Sequence, residues 1–356
     1  MIAASLYLMM TVAPGGTQGA MPVSSLPAPV PAMMAQQSHI PPSDMITYGG
    51  VIDGQHYFGP CRGNQPCDRL PLMSFSLAKS LVGGIGLMRL EKLYPGAKNT
   101  HVSDYIPACE SWGDVTLADL LGMASGHFVS AAPHMDETKG FDAFNSKKTA
   151  PEKLDFACNN YPKQAEPGTT FVYRTSDHFI LGAAMQAFWR EKTGRPEADF
   201  YQDLIVPLWR ALDLSALTHT VRRTDDIPNT GWGMVFTRSD IAAIAHALAA
   251  DDPRLVDSLD TDMLNEALQH TDQVAGLPAG DTLRYANGFW AWDATEHLQC
   301  TDRTQIPFMS GYGGISVVLL PTGDVYYYFS DGGVHRFADA VAALHSLRPI
   351  CRSKKS

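Results

Sequence analysis

Charge is absent from one end of this chain: no Asp, Glu, Lys or Arg precedes Asp44. Basic residues are in short supply throughout, with 27 Lys+Arg against 37 Asp+Glu and a formal charge of -10. That balance, without a basic stripe, argues against a nucleic acid as partner. No window of about 18 residues stays apolar and uncharged without Pro or Gly, so no stable membrane span is expected. C-x-x-C pairs are missing, which removes zinc-ribbon and thioredoxin-like chemistry. H-E-x-x-H, G-x-x-x-x-G-K, a clean G-x-G-x-x-G and a G-x-S-x-G elbow are missing too. The 12 histidines are scattered, with no pair at metal-ligand spacing. Neither a metal nor a cofactor is expected.

What is present is enough for a large folded unit. Hydrophobic residues make up 45% of 356 and charged residues 18%, which excludes disorder over most of the chain. Ile2 to Val12 is an apolar run of signal-peptide length without a preceding Lys or Arg, and seven prolines follow between Pro14 and Pro42. Residues 1–43 are expected to be an export segment or disordered linker, and 44–350 the folded domain. Six cysteines fit disulfides in an oxidising compartment, with Cys61 and Cys67 the best local pair. They also fit separate thiols in a reducing one, so periplasmic or secreted is the expectation and cytoplasmic the alternative. Oligomeric state is not legible.

Met45 to Pro60 predicts a hairpin around Asp53-Gly54, and Ile315 to Phe329 another around Pro321-Thr322-Gly323-Asp324. Phe337 to Leu347, Asp177 to Lys192 (with Gly194 beyond), Thr116 to Leu121 and a segment capped at Ser239 read as helices. Strands near both ends with helices between predict an α+β arrangement: a sheet part at about 44–95 and 285–350, and a helical part at about 96–284. The cleft belongs where the two meet.

One short pattern carries chemistry. Ser76-Leu77-Ala78-Lys79 opens an apolar helix running to about Leu93. Residues three apart share a helix face, so hydroxyl and amine are neighbours. A serine hydroxyl needs a base beside it, and the helix N-terminus offers N–H groups to a developing oxyanion. Gly83, Gly84 and Gly86 each cost about 1 kcal/mol relative to Ala inside a helix, so close packing is expected as the offset. A tyrosine at the loop-to-helix junction Pro167 to Thr175 can act as general base or acid beside a cation. The run Ser310-Gly311-Tyr312-Gly313-Gly314, read as a Gly-rich start of the Ile315 strand, offers backbone donors. Phe289, Trp290 and Trp292 either wall an apolar acyl pocket or fill strand core.

In that order these features resemble the β-lactamase-related serine hydrolases: class C β-lactamases, DD-peptidases, esterases and 6-aminohexanoate-oligomer hydrolases. The likeness runs from about Met73 to Leu347 through Ser74–Ser80, Val102–Pro107, Thr116–Gly126, Pro167–Gly182 and Gly231–Leu248. It implies an antiparallel sheet flanked by helices plus an all-helical domain. It also implies that Ser76 is acylated, that Lys79 and Tyr173 move protons, and that the backbone N–H groups of Ser76 and Tyr312 form the oxyanion hole. Met309-Ser310-Gly311 stands at the family's Lys-Thr-Gly or His-x-Gly motif, and Arg174-Thr175 where Ser-Asn follows the tyrosine. Both departures weaken a penicillin-hydrolysing or DD-peptidase reading, and the run Ser310-Gly311-Tyr312-Gly313-Gly314 looks closer to the branch that cleaves small esters or amides. Arg174 is expected either to replace the missing cation toward a substrate carboxylate, or to point to solvent or tie down the helical part. The alternative function is a catalytically weak penicillin-binding-protein-like relative that binds peptidoglycan fragments or a partner.

Overall fold

The computed structural model describes residues 19–36, 39–64, 67 and 70–354. Its main sheet is assembled from both ends of the chain. Across the sheet the order is Met21–Pro22, Gln55–Phe58, Met45–Ile52, Val325–Ser330, Ile315–Leu319, Gln305–Gly311, Phe289–Asp293, Leu283–Ala286 and Leu277–Pro278. Neighbours are antiparallel except Met21–Pro22, which runs parallel to Gln55–Phe58. Both predicted hairpins form. Asp53 and Gly54 adopt φ of 52° and 74°, the left-handed pair a two-residue hairpin turn demands. The last two strands in the order begin before residue 285, so the sheet part reaches further back than expected.

Tyr326, Tyr327 and Tyr328 show how the sheet divides the interior. Alternate side chains point to opposite faces of a strand, yet all three tyrosines are fully buried. Tyr327 belongs to the larger core, which holds the helix following Ser76 and most other helices. Tyr326 and Tyr328 belong to a second core, under Val30–Met34 and the helix Ala338–Leu347.

That second core corrects the expected boundary at residue 43. The segment Ile2–Val12 lies outside the described residues, but Met21–Pro22 is a strand, and Val23, Val30, Met34 and Ile40 are buried. The Tyr326 hydroxyl donates to the Met34 carbonyl at 2.7 Å. A stretch without charge read as linker because proline and glycine dominate it; its apolar residues instead cover one face of the sheet.

The helix Thr175–Thr193 ends at Gly194 (φ 64°) as its sequence predicts, and Leu117–Leu121 starts with a Thr116/Asp119 capping box. Arg238–Ala249 is capped two residues earlier than expected. Thr237 and Asp240 form a reciprocal box, which Ser239 has no partner to match. Disulfides join Cys61–Cys67, Cys109–Cys158 and Cys300–Cys351. Among the described residues no helix is long and apolar enough to cross a membrane.

Candidate active site

Ser76 is presented by a strained junction. The strand Leu72–Met73 pairs with Val235–Phe236, and Ser74 exchanges hydrogen bonds with Met234 at 2.9 and 3.0 Å. Phe75 then adopts φ 41°, a costly left-handed conformation for a bulky residue. The helix that follows has a π-type turn over Lys79–Gly84 before Ile85–Leu93. Its glycines are packed as expected: a Cβ on Gly84 would come within 2.8 Å of the Asn287 carbonyl, and one on Gly83 within 3.0 Å of His178 Nδ1. The buried His178 imidazole is held well below its ordinary pKa by desolvation, and further by the Lys79 charge.

The predicted catalytic residues meet. The Tyr173 hydroxyl donates to Ser76 Oγ at 2.7 Å. Lys79 Nζ is buried and donates to Ser76 Oγ at 3.2 Å, Thr175 Oγ1 at 2.9 Å and the Gly231 carbonyl at 3.4 Å. Nζ also lies 4.9 Å from the centre of the Tyr173 ring. Thr175 passes the network on, its hydroxyl donating to Glu137 Oε1 at 2.5 Å and its backbone N–H to Oε2 at 2.7 Å. Glu137 sits on the helix Met135–Ser146 and went unrecognised in the sequence, where nothing marks a carboxylate 38 residues away as a partner.

Two residues at positions of the family's motifs, Arg174 and Met309, do not border the cleft. Arg174 turns away from the cleft: its side chain and that of Asp177 are each 1% exposed and form an ion pair. The guanidinium also donates to Ser125 Oγ at 3.0 Å and lies 4.1 Å from the centre of the Tyr161 ring. Arg174 therefore ties down the helical part and does not point to solvent, as its alternative reading also allowed. Met309 is fully buried in the larger core. The physical reason is the same for both. Arg174 has extended backbone directly after Tyr173, Met309 and Ser310 lie in a strand, and successive residues of such backbone face opposite sides.

Ser310, Gly311 and Tyr312 do border the cleft. Ser310 Oγ lies 3.3 Å from His335 Nδ1. A Cβ on Gly311 would approach the Ser74 carbonyl to 3.1 Å, so glycine lets this strand close on the segment before Ser76. Gly313 and Gly314 (φ 87° and 92°) form the turn between Gln305–Gly311 and Ile315–Leu319 rather than the start of a strand. Thr175 lines the cleft with its hydroxyl committed to Lys79 and Glu137.

Ser76 and Tyr173 open into a cavity of about 950 Å³. Trp290, Trp292, Phe308 and Phe337 form one wall, and Trp232 and Tyr312 also contribute. Of the predicted aromatics, Phe289 is strand core instead. Among the described residues no cluster of His, Cys, Asp or Glu is arranged to hold a metal ion.

No protein-family model matches the sequence, and no curated protein matches it. Solved structures do. A penicillin-binding protein from Bacillus halodurans superposes with a TM-score of 0.62 at 16% identity, over 90% of this chain and 100% of that one. The chain has the β-lactamase/transpeptidase-like fold. A D-stereospecific amidohydrolase from a Streptomyces species shares this fold (TM-score 0.60, 15% identity, 88% of this chain and 97% of that one). So does EstCE1, described as a hydrolase with promiscuous acyltransferase activity (TM-score 0.64, 14% identity, 88% and 98%). Within the β-lactamase/transpeptidase-like fold, the cleft here lies between the C-terminal end of the strand Gln305–Gly311, at Ser310–Tyr312, and the helical part carrying Glu137 and Tyr173.

Proposed function

We propose that this chain is a serine hydrolase that cleaves esters or amides through an acyl-enzyme on Ser76. The carrying observation is a serine hydroxyl bonded at once to a tyrosine at 2.7 Å and a buried lysine at 3.2 Å, on the floor of an open cavity. In the reactive form Tyr173 is the phenolate beside the Lys79 ammonium, and Ser76 Oγ attacks the scissile carbonyl carbon as its proton passes to the Tyr173 oxygen. The bond to the leaving group breaks as Tyr173 returns that proton to it, and water then releases the acyl group by the reverse relay. The backbone N–H groups of Ser76 and Tyr312 take the oxyanion. Glu137 fixes the Thr175 proton, so that the threonine oxygen accepts from Lys79 and holds the ammonium in place. The three disulfides suit an oxidising compartment, and we place the protein in the periplasm or outside the cell.

Intact-mass measurement after brief exposure to p-nitrophenyl butyrate tests this. Wild type gains one butyryl group with burst release of nitrophenol, and Ser76→Ala gains none. A folded wild type without adduct or turnover would refute the assignment and favour a binding protein.

A further inference from the structure

We propose that the cleft selects neutral esters or amides bearing an aryl group, and discriminates against substrates bearing a carboxylate. This rests on the hydrolase assignment above and narrows it. The basis is a continuous aromatic surface leading from the nucleophile. Tyr173 bonds to Ser76 through its hydroxyl, and its ring stacks against Trp290 with centroids 6.0 Å apart and planes 22° apart. Trp290 stacks in the same way against Phe308, at 6.1 Å and 21°. Phe308 continues to Phe337 at 4.8 Å, and Phe337 to Trp292 at 5.6 Å. Across the mouth Tyr312, 77% exposed, packs only loosely against Phe75 at 5.7 Å. Aromatic pairs favour such offset and edge geometries at centroid distances of about 4.5–7 Å. A planar group entering this cavity therefore extends a row already in register. The volume of about 950 Å³ is far larger than a short acyl chain needs.

Charge supplies the second half. The guanidinium of Arg174 is buried against Asp177, and Met309 leaves no cation on the strand Gln305–Gly311. Lys79 has its three donors directed to Ser76, Thr175 and Gly231. Arg336 does border the cavity, but Glu137 and Asp142 border it too. With Lys79 at Ser76, two cations face these two carboxylates, and His134 and His335 border the cavity too, so no excess of positive charge recruits a substrate carboxylate.

The test measures kcat/KM by pH-stat for four neutral esters and one anion. Methyl 3-phenylpropanoate carries the aryl group on the acyl side, and 2-phenylethyl acetate on the alcohol side. Methyl butanoate and butyl acetate are their aliphatic counterparts. Burying one ring raises kcat/KM about ten- to a hundredfold on at least one side. Methyl 3-(4-carboxyphenyl)propanoate falls at least about tenfold below its neutral parent. Trp292→Ala, checked for an unchanged melting temperature, lowers the aryl preference, and Trp292→Phe restores part of it. Equal rates for aryl and aliphatic esters, with the Ser76-dependent burst intact, would overturn this inference and leave the hydrolase assignment standing. If no ester acylates Ser76, quenching of tryptophan fluorescence by 3-phenylpropanamide and butanamide decides separately. An aryl preference of at least about tenfold in binding supports the cleft's selectivity, and equal binding refutes it.

Discussion

Replacing Arg174 with methionine should destabilise the protein far more than a surface substitution would. Arg174→Met keeps an unbranched apolar chain over Tyr161 but removes the guanidinium from a pair in which both side chains are 1% exposed. The Asp177 carboxylate would retain Ser125 Oγ at 3.1 Å as a donor. Burial already pushes the Asp177 carboxyl above its usual range, with Arg174 opposing the shift. Breaking a buried pair from one side costs about 3–5 kcal/mol, because the remaining charge stays out of water. Replacing both partners, Arg174→Met with Asp177→Leu, should recover most of that loss, since apolar isosteres of buried pairs are often close to neutral. Urea unfolding of the four proteins gives the coupling energy directly. Kinetics on neutral and carboxylate-bearing esters complete the comparison. A cost below about 1 kcal/mol for Arg174→Met, joined to a selective rise in KM for the carboxylate ester, would refute this account and put the guanidinium in the cleft.

Two further outcomes follow from the polar interior. His178, neutral and buried beside Lys79, binds no proton in the folded chain where the unfolded chain does. Stability is therefore complete above about pH 6.5 and falls on acidification by up to about 1.4 kcal/mol per pH unit from this residue. His178→Phe should remove that component, and unfolding curves that stay parallel to wild type from about pH 6.5 to 4.5 would exclude it. Glu137→Gln leaves one oxygen to accept where Thr175 now has two. Loss of a charge-assisted bond of this kind predicts a fall in kcat of about tenfold or more, with KM changing less than about twofold. An unchanged kcat would remove Glu137 from the proton network.

The hairpins and the long helix were legible because local chemistry decides them: Asp53-Gly54 and Gly323 supply the left-handed turns, and Gly194 stops the helix. Ser76, Lys79 and Tyr173 were legible by spacing and order, and the fold brings them within hydrogen-bond reach. The direction of Arg174 was left open between two readings and that of Met309 was missed, although a period of two was available in both segments. If Tyr173 and Ser310 face the cleft, Arg174 and Met309 beside them face the core. Glu137 was beyond local rules, since its role depends on where the helix Met135–Ser146 docks. At the N-terminus, missing charge was taken for missing structure. The same composition suits residues that cover apolar sheet, as Val30 and Met34 do.

The strand Val325–Ser330 has no outward face. Every one of its residues is buried, and its tyrosines reach into two cores on opposite sides. It also hydrogen-bonds to strands from both ends of the chain's sequence, Met45–Ile52 on one side and Ile315–Leu319 on the other. The two cores consequently share a wall neither can lose alone. Opening the helical side exposes Tyr327, and opening the other exposes Tyr326 and Tyr328 on the same backbone. The molecule is thereby built to melt as one cooperative unit, with its earliest and latest described segments lost in the same step.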